Sequence, residues 1–339
     1  MKNARPVRLK DIAEELGLSV MAVSKALRGH ADIGADTRRR VLDRASELKY
    51  RPNLLPRQML TGRTRTIGMI VPALDSTYFA QVAHGVSSHL RERGYQLLLC
   101  NSEASTDEER RHAEALLAHQ VDGVVLCPAG PLRKREELSY LLDSGVPCVL
   151  AARGRPAFPS NFVGSNGVAL ARAATEHLLD RGCRRVAHIR GPMVAGAIQR
   201  VEGYRQALES RGLRVRKALI AGDSDGIDAG HRAMCAILSK SPRPDGVFCY
   251  TDLTAGGAMM AIFEAGLRIP EDIAMAGVGN LQFTDMLRTP LTTIDQDPVR
   301  MGVEAATLIT DLADGKSVKQ PVARLVPFRL IVRESSFRA

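Results

Sequence analysis

The residue types best placed to do chemistry in this chain are its cations, and they are unevenly spread. Residues 1 to 65 carry 15 Lys and Arg against 7 Asp and Glu, whereas the remaining residues carry 32 against 30. Positive charge concentrated in the N-terminal fifth suits a polyanionic partner; an evenly solvated surface would spread the excess. Covalent chemistry has no comparable signal. The six cysteines (Cys100, Cys127, Cys148, Cys183, Cys235, Cys249) form no CxxC pair and have no clustered His partner. Neither a zinc site nor a disulfide framework is expected, and Cys100, Cys127, Cys148 and Cys249 fall in or beside apolar strand-like runs, as buried thiols do. There is no GxGxxG after a strand, no P-loop and no HExxH. No cofactor, no metal and no enzymatic activity are expected. The chemistry that remains is recognition.

The element that must position the N-terminal cations spans residues 9 to 27. Ile12, Ala13 and Leu16 recur at helical spacing, and Gly17 follows where a helix can end on a left-handed residue. Ser19 stands at the N-cap of a second helix whose apolar stripe is Val23, Ala26 and Leu27. Two short helices joined by a tight turn have the layout of a helix-turn-helix, whose second helix enters the DNA major groove. A helical hairpin inside an enzyme would show the same spacing, but not the charge partition. A third helix is predicted from about Ala35 to Lys49, with Val41, Leu42, Ala45 and Leu48 on its inner face and Arg38, Arg39, Arg40 and Arg44 outside. Pro52 disfavours continued helix at Arg51. Asn53 can cap one more short helix over residues 54–60, too short to hold together alone in water, which therefore needs its own copy or DNA against it.

From Ile67 the pattern changes to apolar runs alternating with amphipathic helices. Continuous rather than alternating apolar runs indicate strands buried on both faces, hence parallel sheets covered by helices. Two such α/β units in tandem leave a cleft between them, a usual place for a small ligand. No run of about 18 apolar residues exists and the N-terminus lacks an apolar signal-peptide core, so a cytoplasmic protein without membrane contact is expected.

The motifs Leu9-Lys-Asp-Ile-Ala13, Val23-Ser-Lys-Ala-Leu27, Tyr50-Arg-Pro-Asn53, Thr61-Gly-Arg-Thr64, Ile67-Gly-Met-Ile-Val-Pro72, Val121-Asp-Gly-Val124, Pro270-Glu-Asp-Ile-Ala274, Pro290-Leu-Thr-Thr-Ile294 and Val332-Arg-Glu-Ser335 resemble, in order and spacing, the lactose-repressor/galactose-repressor (LacI/GalR) family of bacterial transcription regulators. The resemblance covers essentially the whole chain. It implies an α/β protein: an all-α helix-turn-helix headpiece over residues 1–52, a hinge helix and linker over 53–64, and a two-lobed, periplasmic-binding-protein-like effector domain over 65–339. The N-lobe is expected over about 65–161 and 292–320, the C-lobe over about 162–291 and 321–337.

The family's mode of action implies a transcriptional regulator, a repressor whose operator affinity is set by a small molecule between the lobes. A small-molecule receptor of the same two-lobed fold, without a regulatory DNA role, is the alternative. Val20, Met21 and Lys25 sit where relatives read base edges, flanked by Ala22, while Ser19, Ser24 and Arg28 lie near phosphates. Asn53, Arg57, Met59 and Leu60 belong to the hinge helix, with Met59 at the position of the apolar wedge between central base pairs. A homodimer on a pseudo-palindromic double-stranded operator is implied. For the effector, the resemblance points to Tyr78, Phe79, Ser165, Asn166, Thr251, Asp252, Asn280 and Gln296. Ser165 replaces an Asp of sugar-binding relatives, Ile198 an Arg, Ser224 an aromatic platform and Gly279 an Asp, which leaves a sugar or a sugar acid among the open candidates.

Overall fold

The computed structural model describes residues 7–50, 62–154, 156–316 and 320–337. The chain divides into two compact units, Met1–Arg63 and Thr64–Ala339.

The first unit contains α1 (Leu9–Leu16), α2 (Val20–Leu27) and α3 (Ala35–Glu47). Ile12, Ala13, Val23, Ala26, Val41 and Ala45 form its core. Gly17 ends α1 at φ 65, and the Ser19 hydroxyl caps α2 by accepting from the Ala22 amide at 3.1 Å. Leu42 departs from expectation: it is 47% exposed. One residue along a helix is a turn of about 100°, and Val41, Ala45 and Leu48 already fill the inner stripe. Asn53, Arg57, Met59 and Leu60 lie outside the described residues.

The second unit holds two six-stranded sheets. The first is built from β1 (Thr66–Val71), β2 (Gln96–Asn101), β3 (Gly123–Leu126), β4 (Cys148–Ala151), β5 (Phe162–Gly164) and β11 (Ala323–Leu325), in the order β11-β5-β4-β3-β1-β2, all parallel. The second is built from β6 (Val186–Ile189), β7 (Ile220–Ala221), β8 (Gly246–Cys249), β9 (Ala274–Val278), β10 (Thr292–Asp295) and β12 (Arg329–Ile331). Its order is β12-β10-β9-β8-β6-β7, with β12 alone antiparallel. The inner strands are buried along their length, which is why they read as continuous apolar runs.

Helices cover both faces of each sheet: α4 (Thr77–Glu92), α5 (Thr106–Ala118), α6 (Ser139–Leu142) and α11 (Pro298–Ala313) on the first, α7 (Gly167–Asp180), α8 (Ala195–Ser210), α9 (Ile227–Leu238) and α10 (Asp252–Glu264) on the second. The α4–α11 pair is closely approached, because a Cβ on Gly302 would lie 2.1 Å from the Val82 carbonyl oxygen. No helix among the described residues is long and apolar enough to cross a membrane.

The lobe boundaries expected from the sequence need correcting. Residues 162–164, placed in the C-lobe, form β5 of the first sheet; residues 292–295, placed in the N-lobe, form β10 of the second. The segment 323–331, placed wholly in the C-lobe by the sequence, holds two strands. β11 joins β5 in the first sheet, Pro327 interrupts, and β12 joins β10 in the second. The chain thus crosses between lobes three times, near residues 165, 296 and 327. A strand's own side chains encode its burial but not which of two similar sheets it joins.

Candidate functional site

In the first unit, Val23 and Ala26 turn inward from α2, while Val20 is 44% and Met21 69% exposed. Two large apolar side chains therefore project from the first turn of a helix whose amide end is capped by Ser19. Ala22 and Ser24 are half-buried, and Arg28, at the C-cap, is exposed, its Nε donating to the Ser24 carbonyl at 3.1 Å. Lys25 is engaged: its Nζ lies 2.5 Å from Asp32 Oδ2, and this hydrogen bond holds the Asp32 carboxyl below the usual carboxylate range. On α3, Arg44 pairs with Glu15 and Glu47, and Arg39 with Asp36.

In the second unit, a cleft opens between the lobes. Of the eight side chains expected there, Tyr78, Phe79, Ser165, Thr251 and Gln296 line it. Ser165 and Gln296 stand at two of the three crossings, so each is fixed by both lobes. Three expectations are corrected. Asn166 is exposed and turned to its own helix, capping α7 by accepting from the Ala169 amide at 3.0 Å. Asp252 is fully buried behind the lining: one carboxylate oxygen accepts from Thr293 Oγ1 at 2.5 Å, the other from the Leu281 amide at 2.9 Å. Burial pushes its carboxyl up to about 6. Asn280 faces the C-terminal segment, accepting from Arg333 Nη2 at 2.8 Å. Residues at a strand–helix junction can turn toward the cleft or back onto their own backbone, and sequence does not say which.

Two cations that sequence reasoning passed over also line the cleft. Arg200 sits on α8 with Gly203, Tyr204 and Ala207 on its buried face and is only 8% exposed. It donates through Nη1 to the Tyr250 carbonyl and through Nη2 to Gln296 Oε1 at 3.3 Å, and its guanidinium lies 4.5 Å from the Tyr250 ring centroid. An Arg on an otherwise apolar i, i+3, i+4, i+7 stripe was the available signal.

Arg153 follows β4 within three successive left-handed residues, Ala152 (φ 57), Arg153 (φ 45) and Gly154 (φ 88). Such a run at non-glycine positions is costly and concentrates at functional sites. Its guanidinium lies 5.5 Å from the Phe79 ring centroid and donates to the Ala129 carbonyl at 3.2 Å. Its own carbonyl accepts from the Gly196 amide at 2.7 Å, a backbone bond from lobe to lobe. Ile198, the neighbour expected to have lost an Arg, is exposed outside this lining.

Among the described residues, no cluster of His, Cys, Asp and Glu could hold a metal ion. Residues 8–53 match the model of bacterial regulatory proteins of the lacI family, and residues 175–336 that of a periplasmic binding protein-like domain. The chain is 31% identical to the HTH-type transcriptional repressor PurR of Pasteurella multocida, covering 96% of this chain and 98% of that one. It is 32% identical to the HTH-type transcriptional regulator CelR of Thermobifida fusca, covering 99% and 100%. Among solved structures, a lac repressor dimer bound to operator and an anti-inducer superposes with a TM-score of 0.88 at 25% identity, over 98% of this chain and 100% of that one. A helix-turn-helix with an outward-facing second helix, carried on a two-lobed body with a lined cleft, accords with these likenesses: the chain belongs to the lacI family of bacterial regulatory proteins and is a DNA-binding transcriptional regulator.

Proposed function

We propose that the chain is a repressor that binds a pseudo-palindromic double-stranded operator as a homodimer and is controlled by a small molecule seated between its lobes. The observation that carries the DNA reading is the outward projection of Val20 and Met21 from the first turn of α2. Apolar side chains there suit thymine methyl groups in the major groove. Lys25 reaches a guanine edge by exchanging Asp32 for O6 or N7, as a point donor without the fork of an Arg. Ser19, Ala22, Ser24 and Arg28 line the approach to the flanking phosphates. Asn53, Arg57, Met59 and Leu60, by the family resemblance, contact the operator centre from both protomers, with Met59 as wedge.

For the cleft, the lining of Tyr78, Phe79, Ser165, Thr251 and Gln296 supports an effector site. A solved complex of a transcriptional regulator CelR with cellobiose, 32% identical at a TM-score of 0.73, favours a sugar or sugar derivative here too.

Selection of duplexes from a random library by the full-length protein tests this reading. The expected outcome is enrichment of one sequence with two related half-sites, protected symmetrically in footprinting. Recovery of unrelated sequences with no half-site symmetry would contradict it.

A further inference from the structure

Arg153 comes from the N-lobe and Arg200 from the C-lobe, and both line one cleft. Among the described residues neither makes an ion pair; the buried Glu109 carboxyl is near enough to feel the Arg153 charge but accepts from the Ala129 amide at 2.5 Å and the Tyr140 hydroxyl at 3.3 Å. Asp225 is the one acid in the lining; it is exposed at the rim and already accepts from Thr251 Oγ1 and the Gly226 amide. Asp252 lies behind the lining and is spent on Thr293 and Leu281. Two buried atoms of the lining lack a partner among the described residues: Arg200 Nε and the hydroxyl of Ser165, in residues that are both more than nine-tenths buried. Burial raises the Tyr78 and Tyr250 phenols, and both guanidiniums oppose it at both rings, so the two charges converge on one place.

Buried cations normally have a counter-charge, because taking a guanidinium out of water is costly. Arg200 is buried and Arg153 half-buried, neither in an ion pair with an acid, so an anion entering the cleft supplies the counter-charge that both lack at close range. We propose that the effector is a compact polyol bearing a carboxylate or phosphate, whose oxyanion lies between Arg153 and Arg200 with a hydrogen-bonding group at Ser165. This rests on the reading of the cleft as the effector site and narrows it to an anionic class. Planar guanidiniums bind both oxyanions through paired hydrogen bonds. Because the two cations belong to different lobes, their repulsion opposes closure and an anion between them favours it. The ligand's charge is then itself the link between binding and lobe position, since a ligand shifts such an equilibrium only through its differential affinity for the two states.

The test uses thermal unfolding and calorimetric titration of the full-length protein with probes that share a skeleton and differ in charge: galactose against galacturonate, glucose against gluconate, glucuronate and glucose 6-phosphate, ribose against ribose 5-phosphate. At least one charged probe is expected to raise the unfolding midpoint while its neutral partner does not, and the carboxylate and phosphate arms identify the oxyanion. Arg153→Gln, at a half-buried position, is expected to weaken that probe about thirtyfold or more, and Arg200→Met to abolish the shift. Circular dichroism reports whether each variant folds; if Arg200→Met does not, Arg153→Gln decides.

No shift from any charged probe, equal shifts from charged and neutral partners, or full affinity in Arg153→Gln would overturn the proposal. A neutral sugar that binds and releases operator would overturn the anionic class and leave ligand control standing. A charged probe that binds through Arg153 yet leaves operator affinity unchanged would support the class and refute ligand control.

Discussion

If the proposed reading of the second helix holds, the contact between Lys25 and Asp32 tunes its surface for DNA. The Asp32 carboxylate holds the Lys25 ammonium at 2.5 Å on an exposed face, where an ion pair is worth little and exchanges readily for another anion. Lys25→Ala is expected to relax sequence preference at one base pair, by about 1–3 kcal/mol measured against the matched site. Equal weakening on matched and random duplexes would assign Lys25 to phosphate instead. Asp32→Ala is expected to act in the opposite direction, strengthening binding severalfold at low salt, because it frees the ammonium and removes a negative charge from the approach to the phosphates.

Asp252 is a second residue-scale case. Its carboxyl, raised by burial from 3.8 to about 6, keeps its proton at pH values where the unfolded chain has lost it. The contribution of Asp252 to native stability therefore falls as pH rises from about 4 to about 6, by up to about 3 kcal/mol, and is flat above. His188, stacked between Tyr204 and Phe248 and pushed down to about 4 by burial, contributes the opposite slope over that window. Comparison of wild type with Asp252→Asn isolates the aspartate: the stability of the wild type relative to the variant is expected to drop across the window. A constant difference in chemical denaturation at each pH would contradict this.

At the scale of elements, the helices and inner strands were legible because burial on one stripe or both faces leaves its period in the sequence. Gly17 and Ser19 announced the turn and cap of the helix-turn-helix, and both sit as such. Leu42 misled because it neighbours a core position without sharing its stripe. β5 is only three residues long and left no pattern to read. Tyr78 and Phe79 were legible only through the family resemblance, and both line the cleft. Arg153 and Arg200 were not, because their meaning lies in what faces them across the cleft, and no single segment carries that. The α4–α11 contact gives an element-scale expectation. Gly302→Ala places a methyl against the Val82 carbonyl and forces the helices apart, which is expected to destabilise the effector domain by about 1–3 kcal/mol in denaturant unfolding. An unchanged midpoint would mean that the pair has slack.

For the whole molecule, the division of charge matches the division of labour. A basic headpiece suits the polyanion, and a nearly neutral body has two lobes tied together by three crossings. The central claim is that the headpiece reads DNA, and the affinity of the full-length protein for a selected duplex across salt concentrations tests it most directly. The account predicts a straight fall of log affinity with log salt, of slope steeper than about −4, and a preference over scrambled duplex of about a thousandfold or more. A flat response between low and moderate salt, with selected and scrambled duplexes bound alike, would contradict it.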